Sequence, residues 1–181
     1  MTGAGPGGPD LRWIRDRIRD VPDFPAPGIL FKDITPLLAD PAAFAAAIEV
    51  IAGRYEGRSV GKVCGIEARG FMVAAPVAYR LGAGLVPMRK KGKLPGGTDS
   101  VSYLLEYGEA TLEVQRDAIA PGERVLIVDD VLATGGTAAA AAELVRRQGG
   151  AVAGIACLIE LEALNGRAKL QGLSIYSLLR M

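Results

Sequence analysis

The apolar run Val125-Leu126-Ile127-Val128 ends in two adjacent acids, Asp129 and Asp130, and Val131-Leu132-Ala133 leads from them into Thr134-Gly135-Gly136-Thr137. This order suits one task. Gly135 and Gly136 carry no Cβ, so several backbone N–H groups can close on an anion there. An Ala-rich stretch follows, and the N-terminus of the helix it predicts adds partial positive charge. Thr134 and Thr137 supply hydroxyl donors and can cap that helix. Two carboxylates beside a phosphate repel it unless something neutral lies between. A ribose meets that need: its hydroxyls donate to Asp129 and Asp130 while its 5′-phosphate enters the loop from Ala133 to Thr137. The segment is not a Walker P-loop, which needs GxxxxGK[ST], nor is it GxGxxG.

A second concentration of chemistry is cationic. Arg89, Lys90, Lys91 and Lys93 are four cations in five residues, followed by Leu94, Pro95, Gly96 and Gly97. With Gly and Pro as pivots, such a run can close on an anionic leaving group. Arg69, just beyond the apolar run Lys62 to Ile66, carries a fork that grips anionic or planar groups, so it is a candidate contact for either. The sequence has no histidine. That removes Ser-His-Asp and Cys-His nucleophiles and every His-based metal site. Cys64 and Cys157 lie far apart in apolar runs and read as buried structural thiols.

These groups need a scaffold. Short apolar runs at Lys62–Ile66, Gly84–Met88, Val125–Val128 and Ala151–Ile159 read as strands. They are continuous rather than alternating, as expected for parallel strands covered on both faces. Helical stretches fall between them: Ala68–Leu81, with Pro76 inside and Gly82 as its stop, and Ala138–Gln148, ended by Gly149-Gly150. Upstream, Leu11–Asp20 has apolar residues at helical spacing, and Val21–Gly28 is a Pro-rich loop. Asp40-Pro41 starts a helix running to about Arg54, with a carboxylate N-cap and proline in the first turn. Ser102–Tyr107 and Ala110–Gln115, around Gly108-Glu109, read as an antiparallel hairpin projecting from the sheet, a lid. The expected organisation is a flexible tail at 1–10 and a single domain at 11–181. Within that domain, 11–40 forms an N-terminal helix and cap, and 90–116 forms the lid.

Composition narrows the class. The chain has 181 residues, half of them hydrophobic, and 21 Lys plus Arg against 20 acids, a formal charge of +1. A general nucleic-acid binder would carry a basic stripe, so none is expected here. No uninterrupted apolar run reaches the roughly 18 residues of a membrane span. The Gly/Pro-rich start, Met1 to Pro9, lacks the basic and apolar blocks of a secretory signal. The expected location is the cytoplasm, with no membrane partner.

The strand, two acids and Thr-Gly-Gly loop together resemble the signature with which type I phosphoribosyltransferases bind phosphoribosyl pyrophosphate (PRPP). Three further segments resemble the adenine-specific family. Asp23-Phe24-Pro25-Ala26-Pro27-Gly28-Ile29-Leu30-Phe31-Lys32-Asp33-Ile34 looks like its base-binding loop, and Gly65-Ile66-Glu67-Ala68-Arg69-Gly70-Phe71 like its pyrophosphate loop. Arg89 to Gly96 together with Tyr103-Leu104-Leu105-Glu106-Tyr107-Gly108 looks like its catalytic lid. The likeness runs in order from about Ile18 to the C-terminus.

The resemblance implies the type I fold: a central, mostly parallel sheet flanked by helices, with a flexible hairpin lid and a small base-binding cap. It implies purine salvage, in which PRPP and adenine give AMP and pyrophosphate through an oxocarbenium-like transition state. Asp129, Asp130, Ala133, Thr134, Gly135, Gly136 and Thr137 would hold PRPP. Glu67, Ala68, Arg69, Arg89, Lys90 and Lys93 would hold pyrophosphate, the particular lysine and its subunit being left open. Leu30, Phe31, Lys32, Arg69 and Leu161 would meet the base, with Phe31 stacking on it or packing in the core. Lys32 stands where relatives often have Arg. Glu106 would act as general acid/base, with Tyr107 closing over the reactants and Arg69 beside them. Mg²⁺ would arrive with PRPP through water rather than direct protein ligands, and the family is generally homodimeric. The rivals are another type I transferase, for hypoxanthine, xanthine or orotate, and a non-catalytic PRPP sensor.

Overall fold

The computed structural model describes residues 11–104 and 108–181. The chain forms two compact units, Met1–Ala47 and Ile48–Met181.

In the first unit, a single helical turn α1 (Arg12–Arg15) is followed by strands β1 (Arg19–Val21) and β2 (Phe31–Asp33), which pair antiparallel. The helix expected over Leu11–Asp20 is therefore confined to its first turn. The apolar spacing spans too few turns to carry a helix without tertiary support, and pairing with β2 claims the segment from Arg19 onward. The Pro-rich loop is the connection of this hairpin, closed by Gly28 donating to Asp23 at 2.7 Å and by Phe24 set edge-on to Phe31, centroids 5.0 Å apart. Helix α2 (Thr35–Ala39) follows, then α3 (Pro41–Gly53), within which the boundary between units falls. Asp40 caps α3 as expected, its carboxylate accepting from Ala42 and Ala43 at 3.0 and 3.1 Å.

The second unit is built on β3 (Lys62–Ile66), α4 (Gly70–Leu81), β4 (Gly84–Lys90), β5 (Thr98–Leu104), β6 (Glu109–Gln115), β7 (Arg124–Leu132), α5 (Gly136–Arg147), β8 (Ala151–Glu160) and β9 (Ile175–Arg180). Seven strands form one sheet in the order β5-β6-β4-β3-β7-β8-β9, parallel from β4 through β9. Two results depart from expectation. The hairpin β5–β6 does not project freely, because β6 pairs antiparallel with β4 at Arg89↔Glu113 and Lys90↔Leu112 and extends the sheet. Strand β9, unexpected, closes the opposite edge.

The pleat separates two core layers. Cys64, Ile66, Val86, Met88, Val125, Ile127, Ile155 and Cys157 share a cluster with Ala141, Leu144 and Val145 of α5. On the other face, Gly65 lies so close to α4 that a Cβ there would come within 2.7 Å of Ala74 Cβ. The chain steps from β3 to β4 in one direction and from β7 to β8 in the other. Right-handed crossovers then place α4 and α5 on opposite faces. The order reverses between β3 and β7, where open α/β sheets hold their ligands.

Candidate active site at the switch point

At the reversal, two loops leave the carboxyl ends of adjacent strands: Glu67–Arg69 after β3 and Ala133–Gly135 after β7. The peptide between Glu67 and Ala68 is cis. Arg69 links the loops, its Nε lying 2.8 Å from Asp130 Oδ2. That oxygen is buried, and its contact with Arg69 is an ion pair outside hydrogen-bond geometry.

Strand β7 runs through both acids, beyond the stop expected at Val128, because β8 continues to pair with it as far as Leu132↔Glu160. Asp129 Oδ1 accepts the N–H of Asp130 at 2.9 Å, and Asp130 is only 6% exposed. Burial, and then the neighbouring Asp130, push Asp129 well above the ordinary carboxylate range. Burial also raises Asp130, against the pull of Arg69. Two carboxylates held this close want donors or a cation. Glycine at position 70 lets α4 begin against them: a Cβ there would stand 2.7 Å from Asp129 Oδ1.

The loop cap differs from expectation. Gly135, at φ +79°, is the N-cap of α5, and no side chain caps the helix. Thr137 instead donates its hydroxyl to that of Tyr103 on β5, at 3.2 Å. The first N–H groups of a helix have no intrahelical partner. Without a side-chain cap they are left for an anion. Gly135 is also pressed from outside, since a Cβ there would overlap the carbonyl oxygen of Gly166. Ala133, Thr134 and Thr137 are partly exposed beside the buried Gly135 and Gly136.

Two carboxylates hold the cationic run. Glu67 accepts the Lys90 N–H at 2.9 Å and Arg89 Nη2 at 3.2 Å, and Arg89 Nη1 donates to the Lys93 carbonyl at 2.9 Å. Burial works against ionisation of Glu67, but Lys90, Arg89 and Lys93 outweigh it and hold the carboxyl below its usual range. Glu113, 8% exposed on β6, accepts the Gly92 N–H at 2.9 Å. Sequence reasoning missed Glu113, which belongs to no motif, and gave no role to Tyr103, although it opens the lid segment; both act through contacts that only the folded sheet creates. Leu161 follows β8, its N–H bonded to the Leu132 carbonyl at 2.9 Å.

Of the remaining candidates, Leu30, Phe31 and Lys32 belong to the first unit. Leu30 is half exposed, Phe31 packs edge-on with Phe24, and Lys32 Nζ is paired with Asp20 at 2.6 Å. Glu106 and Tyr107 lie outside the described residues, as does the tail 1–10. Among the described residues no three carboxylate or thiol groups cluster as a metal cage, and no helix is long and apolar enough to cross a membrane.

Residues 33–172 match the family model of the phosphoribosyl transferase domain. The adenine phosphoribosyltransferase of Acidothermus cellulolyticus is 63% identical over 168 residues, covering 93% of this chain and 95% of that protein. This chain belongs to the adenine phosphoribosyltransferase family. Its fold agrees. The crystal structure of the adenine phosphoribosyltransferase from Thermoanaerobacter pseudethanolicus superposes with a TM-score of 0.92 at 53% identity, covering 94% of this chain and 99% of that one. The Saccharomyces cerevisiae adenine phosphoribosyltransferase, solved with an imino-altritol bisphosphate and adenine, gives 0.88 at 36% identity, covering 93% and 98%. The switch-point crevice is thus the candidate active site of an adenine phosphoribosyltransferase-family transferase.

Proposed function

We propose that the chain transfers the phosphoribosyl group of PRPP to adenine, giving AMP and pyrophosphate in purine salvage. One observation carries the reading: at the switch point an uncapped helix N-terminus and an acidic pair, Asp130 buried and Asp129 partly so, adjoin Arg69 and the loop that holds the cationic run. Bound there, the 5′-phosphate takes the free N–H groups of α5 and the hydroxyls of Thr134 and Thr137, the latter turning its proton from Tyr103 to the phosphate. The ribose hydroxyls donate to Asp129 and Asp130, which need such donors because both are ionised only against burial.

Pyrophosphate then lies toward the Ala68 amide, Arg69, Arg89, Lys90 and Lys93. Glu67 serves this end indirectly, by orienting Arg89 and the Lys90 backbone. Arg69 exchanges its partner Asp130 for the leaving group as the ribose arrives. The C1′–O bond breaks with its electron pair going to pyrophosphate, and a base nitrogen forms the new bond to C1′. Cations fixed in advance around the departing charge need no reorganisation during the reaction, so they lower the barrier rather than merely binding substrate.

The base contacts implied by the family likeness are Leu30, Phe31 and Lys32 of the Pro-rich loop's end and, separately, Leu161 after β8. Lys32 is paired with Asp20, so in this reading backbone groups of the loop do the recognising. Glu106 takes the proton displaced from the base, and Tyr107 closes over the reactants. Residues 11–40 then form the base-binding cap and 90–116 the lid, in a cytoplasmic homodimer. The acidic pair would also suit a hydrated Mg²⁺ brought by PRPP: Asp130 Oδ2 is a buried carboxylate oxygen already paired with a cation, Arg69, which the arriving substrate would draw away. Bound there, Mg²⁺ neutralises charge on the pyrophosphate.

Replacing both acids, Asp129→Asn with Asp130→Asn, removes their charge and turns one acceptor oxygen of each into a donor while keeping their shape. The double variant should lose Mg-PRPP binding, measured by titration calorimetry, with its circular dichroism spectrum unchanged. Wild-type affinity in that variant would reject the ribose assignment.

A further inference from the structure

Behind the phosphate loop lies a polar cluster that no motif announces. Glu160, 5% exposed, ends β8 directly beside Leu132, the residue before the loop. Arg167 grips it with both arms of its fork, Nε to Oε1 at 2.5 Å and Nη2 to Oε2 at 2.6 Å. Ser177 of β9 donates its hydroxyl to the same Oε2 at 2.6 Å, and Arg167 Nη1 reaches the Ile175 carbonyl at 3.4 Å. Arg180 adds a longer ion pair to Glu160 at 3.6 Å. Arg167, with Ser177 and Arg180, holds the Glu160 carboxyl below its usual range although burial opposes this.

Arg167 sits in a short 3-10 turn, Gly166–Lys169. Its neighbour Gly166 forms the floor under the phosphate loop. A Cβ on Gly166 would overlap the Ala133 carbonyl and stand 3.0 Å from the Gly135 nitrogen. The two backbones therefore touch with no side chain between them. Gly166 at its start and Leu170 just after it are buried, while residues 167 to 169 between them are partly or fully exposed, so the Arg167 ion pair is what ties the middle of the turn to β8. A bidentate ion pair to a buried carboxylate on a central strand fixes orientation as well as distance.

We infer that Arg167 is a positioning residue for phosphoribosyl transfer: clamped on Glu160 and Ser177, it presses Gly166 against Ala133 and Gly135 and so sets the loop's affinity for PRPP. This rests on reading Ala133–Thr137 as the 5′-phosphate cradle. The clamp touches no reacting atom, so it acts on PRPP binding and leaves the bond-making step alone. Leu161 is tied to Leu132 by its own backbone bond, which holds the base contact proposed there when the side-chain clamp is released.

Two variants test it. Arg167→Lys keeps the charge but can engage only one carboxylate oxygen at a time. Glu160→Gln with Arg167→Met removes the pair without stranding a buried charge. With Mg-PRPP and no base, the dissociation constant measured by calorimetry should rise several-fold in the first variant and about tenfold or more in the second, as misplacement of a binding group predicts. The KM for PRPP should follow, while kcat at saturation and the KM for adenine stay within about twofold, since uniform binding alone is lost. If the double variant does not fold, Arg167→Lys carries the test. Wild-type PRPP affinity in the folded clamp variants, with binding lost in Asp129→Asn/Asp130→Asn, would overturn the inference and leave the cradle standing. Wild-type affinity in the acidic-pair variant too would instead show that PRPP binds away from the switch point, and the clamp would fall with that site.

Discussion

Asp129 shows how a carboxylate at the candidate site strains against its surroundings. Burial and the adjacent Asp130 raise its proton affinity, so its ionised form opposes folding until a donor, such as the proposed ribose, or a cation arrives. Asp129→Asn keeps the acceptor for the Asp130 N–H and removes the repulsion. The variant should be more stable than wild type at neutral pH by on the order of 1 kcal/mol, a few degrees in Tm for a domain of this size. The sign of the pH dependence follows from the raised folded-state value. The stability difference is absent below the unfolded carboxyl value, about pH 4, and opens as pH rises through the folded one. Calorimetric Tm from pH 4 to 8 checks this; a lower Tm for the variant at pH 7 would contradict it. Glu160 and Glu67 have the opposite sign. Their lowered values mean stability that is present above the unfolded carboxyl value and lost as pH falls through the folded one.

At the scale of elements, the loop Ala133–Thr137, the proposed phosphate cradle, turns on one residue in an αL conformation at the start of α5, Gly135. Gly135→Ala would place a Cβ at φ +79° and into the Gly166 carbonyl. The αL conformation and the overlap with backbone should together cost about 2 kcal/mol or more, read as a lowered urea midpoint. The KM for PRPP should rise with it, and an unchanged midpoint and KM would show the two backbones to be farther apart. Much of the element layout was legible beforehand. The four core strands announced themselves because parallel strands buried on both faces read as uninterrupted apolar runs, and Gly82 and Asp40 marked helix ends by capping chemistry. The short and the edge elements were not legible. Strand β9, with Tyr176 and Ser177 half-buried, mixes polar and apolar residues and exists because β8 offers an edge. Strand β1 overrode a helical spacing for the same reason.

Across the molecule, the site was legible where chemistry is carried by contiguous residues and obscure where pairing assembles it. Asp129 to Thr137 and Glu67 to Arg69 form motifs, and the structure brings these loops together through Arg69 and Asp130. Glu113, Tyr103 and the Glu160–Arg167–Ser177 clamp join segments that only the sheet order makes neighbours. The reversal of strand order between β3 and β7 concentrates all of this at one edge. It sets an acidic pair and an uncapped helix beside a held cationic run, with a transferase family assignment to match. The most direct test is pyrophosphate release with PRPP and Mg²⁺, comparing adenine, hypoxanthine, guanine and orotate in parallel. The account predicts release with adenine and background rates with the other three. Release with another base at a comparable rate would contradict the adenine assignment, and PRPP binding without release from any base would contradict catalysis itself.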